Sequence, residues 1–185
     1  MTKIYIYAVI IISTLTFISC SDDSTGPGDL NFSQGQGGFT VTGAVNAEHE
    51  GEAWYVIDRD DDGTVFQIFV SDVEFSTDPN ANDEVTFVLE FRQDSGSESF
   101  SISTGTFEVG ENTTFTGLYA DVNSATAYET IGSNGGAITI TSHSNGQLDA
   151  EFEFAGANRE GEGTVTVKGG LRASCIGGQF NPNCS

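Results

Sequence analysis

The chain has 185 residues, with 27 Asp or Glu against 6 Lys or Arg and a formal net charge of −21. A field of that sign repels phosphate backbones, which excludes nucleic acid as a partner and disfavours contact with anionic lipid head groups. Fourteen Phe and five Tyr nonetheless offer a sizeable apolar core.

The first element is Met1-Thr2-Lys3 followed by an almost unbroken apolar run, Ile4 to Ile18. At about 15 residues it has the length of a signal-peptide core and falls short of the ~20 that span a bilayer. It ends in Leu15-Thr16-Phe17-Ile18-Ser19-Cys20. That ending resembles the lipobox of bacterial lipoproteins, with Phe17 standing where Leu is usual. The resemblance implies that residues 1–19 are removed and that Cys20 is acylated, anchoring the protein to the outer membrane. Acyl chains add ~0.8 kcal/mol per buried CH₂, and two or more hold stably. The following Ser21-Asp22-Asp23-Ser24 is similar to the acidic export signal of Bacteroidota surface lipoproteins, favouring surface display over the periplasm.

Ser21 to Gly38 reads as a tether, with Gly26-Pro27-Gly28 and Gln34-Gly35-Gln36-Gly37-Gly38 and only Leu30 and Phe32 as large apolar residues. A Gly-rich coil of this length reaches roughly 25 Å. With Cys20 carrying lipid, Cys175 and Cys184 remain as a pair in an oxidising compartment, where a disulfide would close the tail 174–185. So short a loop contributes on the order of 2–3 kcal/mol.

From Phe39 to Ala173 the period is two. Leu148, Ala150, Phe152 and Phe154 alternate with Asp149, Glu151 and Glu153, and Val85, Phe87, Leu89 and Phe91 with Thr86, Val88, Glu90 and Arg92. Phe66, Ile68 and Val70, Ile138 and Ile140, and Val165 and Val167 repeat the pattern. Further strands are expected over Phe39–Asn46, Ala53–Asp58, Glu98–Ser103, Thr114–Val122 and Ala125–Thr130. Asp62-Gly63, Asp78-Pro79-Asn80, Ser95-Gly96, Asn134-Gly135-Gly136 and Asn145-Gly146 supply the turns. About ten short strands without a helical stripe predict one all-β antiparallel domain, a β-sandwich or a closed β-barrel. Gly135-Gly136-Ala137-Ile138-Thr139-Ile140-Thr141, the Leu148–Phe154 strand and Val165-Thr166-Val167-Lys168-Gly169 together resemble a family of small lipoproteins of unknown function. That resemblance implies an exported all-β domain and transfers no functional residue.

Asp58-Arg59-Asp60-Asp61-Asp62-Gly63 fits D-x-D-x-D-G, the first half of a calcium loop, making Asp58, Asp60 and Asp62 the candidate Ca²⁺ ligands. Phe69 stands where an EF-hand needs its bidentate Glu, and the flanks are strands, so the alternatives are a hairpin-borne calcium loop and a solvated acidic turn. Asp78-Pro79-Asn80-Ala81-Asn82-Asp83-Glu84 is a looser echo. Two cysteines with no nearby histidine give no zinc set. Asp94-Ser95-Gly96-Ser97 matches an aspartic-protease core without its apolar lead-in or second copy. His49-Glu50 is not completed to H-E-x-x-H, because residue 53 is Ala. No catalytic constellation emerges, and no enzyme is expected. Trp54 and Tyr55, adjacent in a strand, face opposite ways, so one fills the core. Both are expected to pack within the domain or at its rim, the alternative being that the other joins Tyr119 or Tyr128 in an exposed platform for a glycan. The function expected is a binding or adhesion module, alternatively an envelope-assembly lipoprotein acting through a protein partner.

Overall fold

The computed structural model describes residues 31–60, 63–73, 85–95, 101–132, 135–158, 161 and 163–176. Its strands are β1 (Gln36–Gly43), β2 (Ala47–Asp60), β3 (Gly63–Ser71), β4 (Phe87–Ser95), β5 (Gly105–Val109), β6 (Thr116–Asp121), β7 (Thr126–Glu129), β8 (Gly136–Ser144), β9 (Gln147–Asn158) and β10 (Thr164–Cys175). Side chains alternate across each pleat, so a strand with one face against the core buries every second residue. β9 does this without interruption from Leu148 to Phe154, and β3 from Thr64 to Val70.

Of the two architectures open to such strands, the chain adopts the barrel. β1 pairs with both β2 and β10, and the ring β1–β2–β3–β4–β6–β7–β9–β10 closes as an eight-stranded antiparallel barrel with two extra strands. The extra pair is β8, laid on β9 from Gln147 to Phe154, and β5 laid on β8. β7 takes over the same edge of β9 at Ala157 and Asn158, completing the ring. Beyond the start of β1, β10 meets β2 directly in a short parallel contact, Ser174 with Trp54 and Cys175 with Tyr55.

Closure on so narrow a bore needs room for aromatic rings. Phe39, Phe152 and Gly169 occupy one inward-facing row on β1, β9 and β10. A Cβ on Gly169 would lie 2.2 Å from the Gly38 carbonyl oxygen and 2.5 Å from the Phe39 Cβ. The missing side chain lets Phe39 and Phe152 approach to 6.5 Å between centroids. Phe91 then packs on Phe152 and Phe154 at 4.9 and 5.5 Å, and Phe66, Phe115 and Phe107 extend the edge-on ring contacts. At the β8–β9 hairpin, Asn145 and Gly146 both hold positive φ, 53° and 72°, the pairing a two-residue primed turn requires.

Several boundaries differ from the sequence reading, β2 among them, which begins at Ala47 rather than Ala53. β1 begins at Gln36, so the last residues assigned to the tether lie in the sheet, and half-buried Phe32 covers the outer side of Gly38. β10 runs on to Cys175. The strand expected over Glu98–Ser103 is absent from residues 101–103 (98–100 lie outside the described residues), and Gly105–Val109 forms one instead.

Candidate functional site

Among the described residues the barrel interior is largely apolar, and two polar ties enter it, each made by one of the chain's two histidines. His49 faces inward on β2 beside Phe39 and Phe87, and its Nε2 lies 3.0 Å from the Tyr119 hydroxyl on β6. β2 and β6 are three places apart in the ring, so the bond crosses the bore. The second tie joins the Tyr55 hydroxyl on β2 to His143 Nε2 on β8, also at 3.0 Å. Plain alternation after Ile138 and Ile140 would turn His143 outward. A bulge between Ile140 and Ser142 shifts the register by one, pairing His143 with inward-facing Leu148. Asp149 holds the bulge from outside, accepting hydrogen bonds from Ser142 Oγ at 2.9 Å, Gln147 Nε2 at 3.1 Å and Arg172 Nε at 3.0 Å.

Burial sets the protonation of these groups. It lowers His49, against the opposing pull of Asp121 and Asp72, and lowers His143 with nothing opposing. It raises Tyr55, and with help from Asp121 and Tyr128 pushes Tyr119 up to about 12. Burial thus favours the neutral form of all four groups.

A candidate ligand-receiving feature among the described residues lies on the outer face. A groove of about 460 Å³ runs over β4, β6 and β7, lined by Glu90, Arg92, Glu111, Leu118, Glu129 and Ile131, with Thr116, Gly117 and Thr130 between them. Register places Glu90 opposite Leu118 and Leu118 opposite Glu129. With strands ~4.8 Å apart, the two carboxylate-bearing positions flank the leucine at roughly 10 Å. Glu111 is brought over by its N–H, which donates to the Gly132 carbonyl at 2.8 Å. Bonds between Thr130 and Gly117 fix the floor, N–H to carbonyl at 3.0 Å and N–H to Oγ1 at 3.2 Å. Gln67 donates to Glu90 at 2.8 Å, and Arg92 forks onto Asp94 at 2.9–3.2 Å. Ile131, at 56% exposed, stands at the rim.

The residues singled out in the sequence do not converge there. Asp58 is exposed near the end of β2, and Asp60 is paired in register with Gly63. The Asp60 side chain, Asp61 and Asp62 lie outside the described residues, as do Asp78–Glu84, Gly96-Ser97, Cys184 and the leader with Cys20. Cys175 ends β10, half-buried. Asp94 is engaged by Arg92 on the exposed face. Trp54 and Tyr55 do face opposite ways: Tyr55 is fully buried, and Trp54 stacks outside on Phe69 at 4.0 Å. The alternative of an aromatic platform with Tyr119 or Tyr128 falls away, because both are turned into the bore and buried, at 0% and 4% exposed. Of the groove residues, only the outward facing of Glu90 and Arg92 was readable from alternation. The convergence of β4, β6 and the turn before it, and β7 has no local sequence signal. No protein-family model, curated protein or solved structure matches the chain.

Proposed function

We propose that this chain is a non-enzymatic binding module of a bacterial envelope, tethered by lipid on Cys20 and displaying the β4–β6–β7 groove to its ligand. The groove carries the reading: its volume falls in the range of ~300–1,000 Å³ typical of ligand sites, and its charged residues and threonines surround Leu118 and Ile131. A Cys175–Cys184 disulfide would secure the strand that meets β2 beneath β1.

Amide shifts of the isotope-labelled full chain, followed while a library of neutral, cationic and anionic fragments is added, test the groove. Shifts clustered at Gly117, Leu118, Thr130 and Ile131 are expected; clustering only elsewhere on the barrel overturns the reading. The anchor is tested by fractionating cells that express Cys20→Ala. Loss of membrane association is expected, and full retention would remove the lipid from the proposal.

A further inference from the structure

We infer, resting on the groove reading above, that the occupant is a basic segment of another protein, seated by a lysine or arginine side chain. The groove has two chemical zones in a fixed order. Leu118 and Gly117 form an apolar floor, and Glu90, Glu129 and Glu111 stand around it. The one cation present, Arg92, is already paired bidentately with Asp94, and this bond raises its pKa. The carboxylates therefore set the sign of the field within the groove. A lysine or arginine side chain has the matching anatomy, an aliphatic stem with a charged head. Laid across Leu118, its stem covers the leucine and its head reaches Glu90 or Glu129.

One observation favours a polypeptide over a free amine, and a second favours any cationic partner. Ile131 offers apolar contact at the rim, which the neighbouring residue of a bound segment satisfies and a naked polyamine does not. The chain's charge of −21 draws any basic protein surface toward it, a steering effect that raises encounter rates.

The test uses the full chain in neutral detergent micelles and four probes. Three are peptides of equal length alternating leucine with lysine, glutamine or glutamate; the fourth is spermine. The lysine peptide is expected to shift the groove amides and to bind about tenfold more tightly than the glutamine peptide and than spermine. Glu90→Gln with Glu129→Gln should remove most of that advantage. Glu48→Gln with Glu50→Gln takes the same charge from β2's outer face, away from the groove, and should change binding by no more than about twofold. Equal losses in both double variants would reduce the effect to bulk charge and overturn the proposal. Spermine binding as tightly as the peptide would replace the protein partner by a small polycation. A glutamine peptide equal to the lysine one would sink the cationic occupant while leaving the groove as a binding site. Silence of the groove amides toward every probe would remove both.

Discussion

At the scale of single residues, the barrel spends both of its histidines in the same way, each as a polar tie to a buried tyrosine. Such a tie is worth about 1 kcal/mol net, and losing one partner leaves the other buried and unsatisfied. Its consequence is a pH dependence whose sign follows from the shifts. Burial lowers both His49 and His143 in the folded state, whereas the unfolded chain protonates near the ordinary value of about 6.5. Below that value the unfolded state takes up protons that the folded state refuses. The contribution is therefore complete above about pH 6.5 and is lost as pH falls toward the folded values. Between pH 7.5 and 5.5 few carboxylates near pKa ~4 change state, so this window isolates the histidines. The melting temperature is expected to be lower at pH 5.5 than at 7.5. His143→Gln, whose amide can still meet the Tyr55 hydroxyl but cannot titrate, should flatten that slope. A slope unchanged in His143→Gln would assign the pH effect to His49 or to groups outside the bore.

At the scale of elements, what was legible was the alternation, and the reason is physical. A strand buried on one face has no freedom of period, so β3, β4 and β9 could be read directly from Phe66–Val70, Val85–Phe91 and Leu148–Phe154. The choice between sandwich and barrel was not legible, since both demand the same period. Closure depends on which edges meet, and here on Gly169 making room for Phe39 and Phe152. β5 was missed because Phe107-Glu108-Val109 and Phe100-Ser101-Ile102 carry the same short alternation, and the sequence offers no ground for choosing between them. Packing decides: Val109 is buried, Phe107 lies on Phe115, and Ile102 packs against the core without joining a sheet. The β8 bulge was equally silent in the sequence, although it decides which way His143 points. The groove lies on the polar face, where alternation records only that a residue points outward. Its carboxylates are gathered from three segments by register alone.

At the scale of the whole molecule, the barrel is apolar within and charged without. Glu48, Glu50, Glu52 and Asp58 are all exposed on the outer face of β2, and Glu153 with Lys168 on that of β9 and β10. This is the reverse of a membrane-spanning barrel, whose outer band is apolar. These carboxylates therefore sit in solvent, where like charges repel and where any dissolved cation relieves them. That general effect must be separated from a calcium site at Asp58, Asp60 and Asp62. Asp58 and Asp60 are two residues apart on β2, so their Cα atoms lie roughly 6.6 Å apart along an extended strand rather than around one point. The expectation is that millimolar calcium, magnesium and sodium chloride of matched ionic strength raise the melting temperature alike relative to EDTA. A site filled to 100 times its dissociation constant would add about 2.7 kcal/mol, several degrees for a domain of this size. A rise of that size confined to calcium, and abolished by Asp60→Asn with Asp62→Asn, would establish the hairpin as an ion site despite its strand geometry. It would also mean that the loop end of β2 and β3 is ordered by an ion and not by the barrel alone. Equal effects of the three salts would instead make the acidity a property of the whole surface, leaving the groove as the place where that charge is organised for recognition.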